Sequence, residues 1–233
     1  MCNSKTIEEV AQILSEQNTQ DQLQTGQYFS STIYTIKKEN FLESAKKVFD
    51  EHIQKSKKDK ELNKLYPVHM TGQLFDDERI KDLLTYVAET AWNIIQSQGY
   101  KMTDRATYFT EFWGQEHYEY SAMDEHVHPY GAQIVGFYFL EVPPDSSKIV
   151  IHDPRPGKVM AHMPEEDATK ATDASNLINF TPDEGMLFFA PAWLPHSFTR
   201  HGSLKPLKFI HFNIGVRIND QMPAVCPAPA EVV

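Results

Sequence analysis

The pattern of apolar and polar positions changes near residue 100 and divides the chain into a helical part and a strand-rich part. Upstream, apolar residues recur three and four apart. Ile7, Val10, Ala11 and Leu14 fall on one helical face behind Thr6, which forms a capping-box pair with Glu9, and Glu8 adds acid to the first turn. From Ser15 to Gln27 the chain is rich in Gln and Asn and poor in apolar residues, so that helix is expected to give way to a polar linker. Alternation over Tyr28 to Ile36 predicts a strand. Phe41, Leu42, Ala45, Val48, Phe49 and Ile53 predict a second helix, and the Lys55 to Lys60 run reads as its solvated end. The third stripe is the broadest: Ile80, Leu83, Leu84, Val87, Ala88, Ala91, Trp92 and Ile95, with Gly99 as the stop. It is expected to pack on the back of a sheet.

Beyond Lys101 the period shortens. Ala106 to Trp113, Gln133 to Val142, Lys148 to His152, Asn176 to Phe180, Met186 to Ala190 and Leu207 to Arg217 are short aromatic and β-branched runs separated by Pro, Gly, Asp and Asn. Several short strands with turns between them predict a sandwich or jelly roll. Gly157 to Ser175 has no periodicity and carries Pro164-Glu-Glu-Asp, which predicts an exposed loop and a candidate lid. The expected organisation is an N-terminal helix and polar linker over residues 1–27, one domain over 28–218 (helical support 38–99, strand core 100–218), and a flexible Pro/Ala-rich tail over 219–233.

Composition narrows the setting. A chain of 233 residues with 41% hydrophobic and 12% aromatic residues can bury one good-sized core. A net charge of −10 and the lack of a long Lys/Arg block disfavour nucleic acid as a partner. Cys2 and Cys226 stand at opposite ends, so no disulfide framework or thiolate cluster is expected, and a reducing, cytoplasmic setting fits. The sequence shows neither a secretory leader nor a long apolar span, so no membrane partner is expected.

Against this background three histidines stand out. His126 and His128 are two apart, the spacing that puts both on one face of a strand, and His196 follows the apolar run Gly185-Met-Leu-Phe-Phe-Ala-Pro-Ala-Trp-Leu-Pro. Two ligands close in sequence and one distant suit a metal gathered between strands, and imidazole suits Fe, Zn, Cu or Ni. The third ligand has alternatives in Asp124, Asp153 or water beside two histidines.

The ordered set Trp113, His126-Val-His-Pro, Gln133-Ile-Val-Gly-Phe-Tyr-Phe-Leu, Ile149-Val-Ile-His-Asp-Pro-Arg155, the Gly185 to His196 run and Phe209-Ile-His-Phe-Asn213 resembles the 2-oxoglutarate and Fe(II)-dependent oxygenases, in the prolyl 4-hydroxylase-like group with a His-x-His metal motif. Tyr28-Phe-Ser-Ser-Thr-Ile-Tyr34 is similar to that group's first strand, so the resemblance spans most of the chain beyond residue 27. It implies an α+β fold with a double-stranded β-helix (jelly-roll) core and N-terminal helices packed on one sheet. It also implies iron ligands at His126 and His196. Members of the wider superfamily usually have His-x-Asp at the first pair, and this chain has His128 at the Asp position, so His128 is the expected third ligand. No catalytic residue is expected beyond the metal centre.

The resemblance further implies Fe(II), 2-oxoglutarate and O2, with ascorbate as a possible accessory, and hydroxylation of a prolyl or other amino-acid, peptide or protein C–H bond with release of succinate and CO2. The distal carboxylate of oxoglutarate needs a cation, usually about ten residues past the last histidine. Lys208 and Lys205 are the candidates, with Arg155 and then Arg200 behind them, because Leu207 stands where the family more often has Arg. Lys208 lies in an apolar run, where an ammonium needs an anionic partner. Tyr138 and Asn213 are further candidates for the cosubstrate site, and His211 for a place beside the ligands. Trp113 and Trp193 are expected in packing, and His152, His162 and His201 as bystanders. The competing readings are a zinc-dependent hydrolase or lyase on a cupin-like scaffold, in which three histidines activate water, and a non-catalytic jelly-roll binding module.

Overall fold

The computed structural model describes residues 26, 28–128, 131–161 and 163–219. The predicted helix behind Thr6, both cysteines, His162 and the tail past Asn219 lie outside these residues. Every element below belongs to the unit Thr32–Val233.

Ten strands form two antiparallel sheets. The larger contains β1 (Tyr34–Lys37), β2 (Val68–Gln73), β3 (Arg105–His117), β5 (Ala132–Glu141), β8 (Met186–Pro191) and β10 (Leu207–Ile218), in the order β1-β8-β5-β10-β3-β2. The smaller contains β4 (Met123–His126), β6 (Ile149–His152), β7 (Leu177–Phe180) and β9 (His196–Phe198), in the order β4-β9-β6-β7. Consecutive strands change sheets repeatedly, which curls the pair into a jelly-roll core. Helices α1 (Leu42–Asp59) and α2 (Lys81–Ser97) pack on the larger sheet, and α3 (Pro156–Met160) is a single short turn. The α+β jelly roll with helices on one sheet is therefore as expected.

Strand alternation explains the layering. Along β10 the even positions Ile210, Phe212 and Ile214 meet Phe49, Val87 and Ala91 on the helical side. The odd positions Leu207 and Phe209 meet Phe137, Phe139, Ile149 and Phe198 between the sheets. Both faces of the central strands are apolar, because both are covered. Gly136 is required where β5 pairs with β10 opposite Phe212: a Cβ there would lie 2.2 Å from the Phe212 ring. Gly99 ends α2 with φ +94, a conformation that favours glycine.

Four local expectations change. The first strand begins at Tyr34 rather than Tyr28. Strand β2 was not predicted, since Val-His-Met-Thr-Gly-Gln has no sustained alternation; it is an edge strand whose register on β3 shifts between Met70 and Gln73. Strand β9 has three residues, too few to show a period. Strand β4 stops at His126, so His128 is not on it; the backbone N–H of His128 instead donates to the Ala192 carbonyl at 2.8 Å.

Candidate metal centre

The smaller sheet brings two of the three histidines together directly. His126, at the end of β4, pairs with His196, at the start of β9. Their ring centroids are 4.5 Å apart. The His128 ring lies 5.0 Å from each of them, and one nitrogen from each of the three lies within 4.8 Å of the others.

Backbone carbonyls set the tautomers. His196 Nδ1 is 2.9 Å from the Leu194 carbonyl, and His126 Nδ1 is 2.7 Å from that of Asp124. A carbonyl only accepts, so each Nδ1 carries the proton and each Nε2 presents a lone pair. His128 Nε2 then lies 3.2 Å from His196 Nε2. Two ligands at about 2.1 Å from one ion, at near-octahedral to tetrahedral angles, sit about 3.0–3.4 Å apart. Burial pushes His128 down to about 3, with the charges of His196 and His126 adding to the effect. Burial also pushes His196 down to about 4, against the opposing pull of its Leu194 bond. Both imidazoles are thus neutral near pH 7. The donor set fits a divalent transition metal.

A second group adjoins the first. Glu111 on β3 and His211 on β10 offer ligand atoms within 4.8 Å of each other and of His128. Trp113 packs on the His211 ring at 4.9 Å, and Asn213 Nδ2 donates to Glu111 Oε2 at 2.7 Å. Glu111 escaped the sequence reading, because nothing sets Glu apart in a strand until the β3–β10 register places it opposite Asn213. The parity it shares with Trp113 was the one available signal.

The other candidates have protein partners or exposed positions of their own. Lys208 has helix-side parity, and its Nζ lies 3.0 Å from Asp50 on α1 and 3.1 Å from Glu141 on β5. Burial pulls its pKa down, but hydrogen bonds to those carboxylates leave it raised. The anionic partner expected for this lysine exists, and it is protein. Tyr138 also faces the helices and donates to the Lys38 carbonyl at 2.6 Å. Lys205 is exposed in the β9–β10 turn. Arg155 is paired with Asp153 at 2.7 Å, and Arg200 donates to the Tyr120 carbonyl. Asp153 is engaged by both Arg155 and Lys158, and these partners hold its carboxyl well below the usual range. Asp124 meets His126 through its carbonyl. Asn213 does face the histidine side, buried beside His211. His152 bonds Ser197, His201 bonds the Lys205 carbonyl, and Trp193 is half exposed. Among the described residues no helix is long and apolar enough to cross a membrane.

Residues 111–213 match the family model described as "Putative 2OG-Fe(II) oxygenase". No curated protein sequence matches the chain. Similar solved structures include an oxidoreductase of the 2OG-Fe(II) oxygenase family from Burkholderia pseudomallei, at 8% identity and TM-score 0.52 over 92% of both chains. A Pseudomonas putida prolyl-4-hydroxylase has 9% identity and TM-score 0.53, over 79% of this chain and 93% of its own. A Trichoplax adhaerens prolyl hydroxylase, solved with a hypoxia inducible factor peptide fragment, has 8% identity and TM-score 0.54, over 92% and 96%. At such identities these structures speak for the fold, while the family match falls on the segment that carries all five donor residues, Glu111 to His211. Over residues 111–213 the chain is therefore similar to the 2OG-Fe(II) oxygenase family, whose cofactors are Fe(II) and 2-oxoglutarate.

Proposed function

We propose that His126, His128 and His196 hold the iron of a hydroxylase that acts on a C–H bond of a peptide, protein or amino-acid substrate, with a prolyl residue the first to test. The observation that carries this reading is the fixed tautomer pair: two backbone carbonyls hold the protons on Nδ1 of His126 and His196, which leaves each Nε2 lone pair free, and that of His196 lies 3.2 Å from His128 Nε2. The prolyl suggestion draws on the Pseudomonas and Trichoplax neighbours. When bound, the family's cofactors couple O2 reduction and oxidative decarboxylation of oxoglutarate to C–H hydroxylation, with succinate and CO2 as coproducts.

The chain's own part is to orient and to shield. Phe137 stands edge-on to His196 at 5.9 Å and excludes water from the inner side of the imidazoles. Asn213 and Glu111 supply polar groups on the same side, next to His211. Of the cations proposed from sequence for the distal carboxylate, Lys208, Arg155 and Arg200 are engaged elsewhere and Lys205 is exposed, so no binding step is assigned to them. That one observation favours keeping a zinc hydrolase as the second reading, because activation of water by three imidazoles needs no such cation.

Anaerobic titration of Fe(II)-loaded protein with 2-oxoglutarate separates the two. A saturable visible charge-transfer band, lost in His196→Ala, is the expected result. No band, with tightly held zinc by metal analysis, would overturn the oxygenase reading of this site.

A further inference from the structure

His211 is 2% exposed, and neither of its ring nitrogens makes a hydrogen bond of ordinary geometry among the described residues, although the Asn213 side chain lies near enough to act on the ring. Leaving a buried polar atom unpaired costs about 1–3 kcal/mol, so an imidazole with two of them calls for a partner the protein does not supply. The Oδ1 of Asn213, on the same face, is buried and unpaired as well. The surroundings say what kind of partner fits. The His211 ring lies 5.1 Å from that of His128, in a near-parallel stack that continues to His196. Its Nδ1 is 3.9 Å from Glu111 Oε2, and the Glu111 side chain is 44% exposed, leaving the site a route to solvent. Two imidazoles and one carboxylate form a donor set for a divalent transition metal. Glu111 also adds the negative charge that three neutral imidazoles do not have.

We infer that Glu111, His128 and His211 form a second divalent-metal position, adjoining the His126–His128–His196 position and sharing His128 with it. A neutral imidazole has one lone pair, so His128 serves one ion at a time and the two positions are alternatives. Glu111 and His211 sit on β3 and β10, two registers apart in one ladder, and the register of that ladder shifts immediately beyond Asn213. Such an irregularity re-aims side chains next to a site. The larger sheet thereby offers a carboxylate-containing site, and the smaller sheet an all-imidazole one, on the two sides of His128.

The inference rests on the assignment of His128 as a ligand, and Co(II) titration followed by d–d absorption tests both separately. The parent chain should bind one Co(II). The double variant His126→Ala/His196→Ala should still bind one, at least tenfold more weakly and with a changed band, and adding Glu111→Gln and His211→Ala should abolish that binding. If the double variant is folded by circular dichroism and takes up no Co(II), the second position is wrong while the first stands. Binding by the double variant that ignores Glu111→Gln and His211→Ala overturns it too. A parent that binds no Co(II) overturns both positions. Should the double variant not fold, the single variant His126→Ala, at the partly exposed end of β4, permits the same comparison with and without Glu111→Gln/His211→Ala.

Discussion

The two faces of β10 are built for different ends. On the helical face Ile210, Phe212 and Ile214 are buried against α1 and α2, and the one charge, Lys208, is neutralised by two carboxylates. On the inner face Leu207 and Phe209 are equally buried, but the strand then turns polar at His211 and Asn213, both with unpaired atoms. A single twelve-residue strand thus carries closure on one side and unmet bonding capacity on the other. The difference separates residues that hold the sheet from residues whose polar atoms the protein leaves unpaired.

The sharpest way to break this division is to truncate the helical face and look for an effect on metal. Phe212 stacks with Phe112 at 6.3 Å, meets Phe189 at 5.3 Å and fills the space left by Gly136. Phe212→Ala should cost about 3–5 kcal/mol of unfolding free energy, because the neighbours cannot close the cavity. Under conditions where the variant stays folded, its Co(II) affinity should match the parent. A tenfold loss of affinity would mean that the two faces are coupled through the strand.

The same division explains what could be read without coordinates. The α2 stripe from Ile80 to Ile95 and the β5 and β10 runs were legible because periodicity reports burial, and these elements are long enough to show a period. His126, His128 and His196 could be grouped from the sequence because two of them stand two apart and the third follows a long apolar run. For Lys208 the sequence stopped short for a physical reason: an ammonium in an apolar run does demand an anion, but the demand does not say which face supplies it, and the structure offers Asp50 and Glu141. Parity would have given the answer, since an even position on β10 shares its side with Phe212 and not with His211. Glu111 was illegible because its role depends on a pairing across about a hundred residues, Glu111 with Asn213, which no local pattern encodes.

A second test uses acid on the inner face. His117 is fully buried, bonded to Gln115 at 2.7 Å and Ser121 at 3.2 Å, and packed on Phe209 at 5.2 Å. Burial, with His201 adding a like-charge effect, pushes it down to about 3 from an ordinary 6.5. Between those values the unfolded chain binds the proton and the folded chain does not, so this contribution to stability is complete above about pH 6.5 and is lost as pH falls toward the folded value. From about pH 6.5 to about 4.5 the parent should lose on the order of 2–3 kcal/mol more than His117→Gln. Denaturant melts at the two pH values measure the difference, and equal losses would show that His117 is solvated rather than sealed.

The smallest effect belongs to Lys208, and it sets the two faces against each other most directly. Its Nζ lies 5.8 Å over the Phe49 ring as well as between Asp50 and Glu141, whose side chains are 50% and 37% exposed. Replacing it by Met keeps the packing stem and removes the charge, leaving two half-solvated carboxylates facing each other. Water screens that repulsion, so Lys208→Met should cost only about 1–2 kcal/mol, with the loss diminishing at high salt. Because the ammonium stands on the helical face, oxoglutarate affinity of the Fe(II)-loaded variant should be unchanged. A cation that anchored the distal carboxylate would give the opposite pair of results, a large fall in oxoglutarate affinity with little change in stability. Measuring both quantities on the one variant therefore decides which face of β10 this lysine serves.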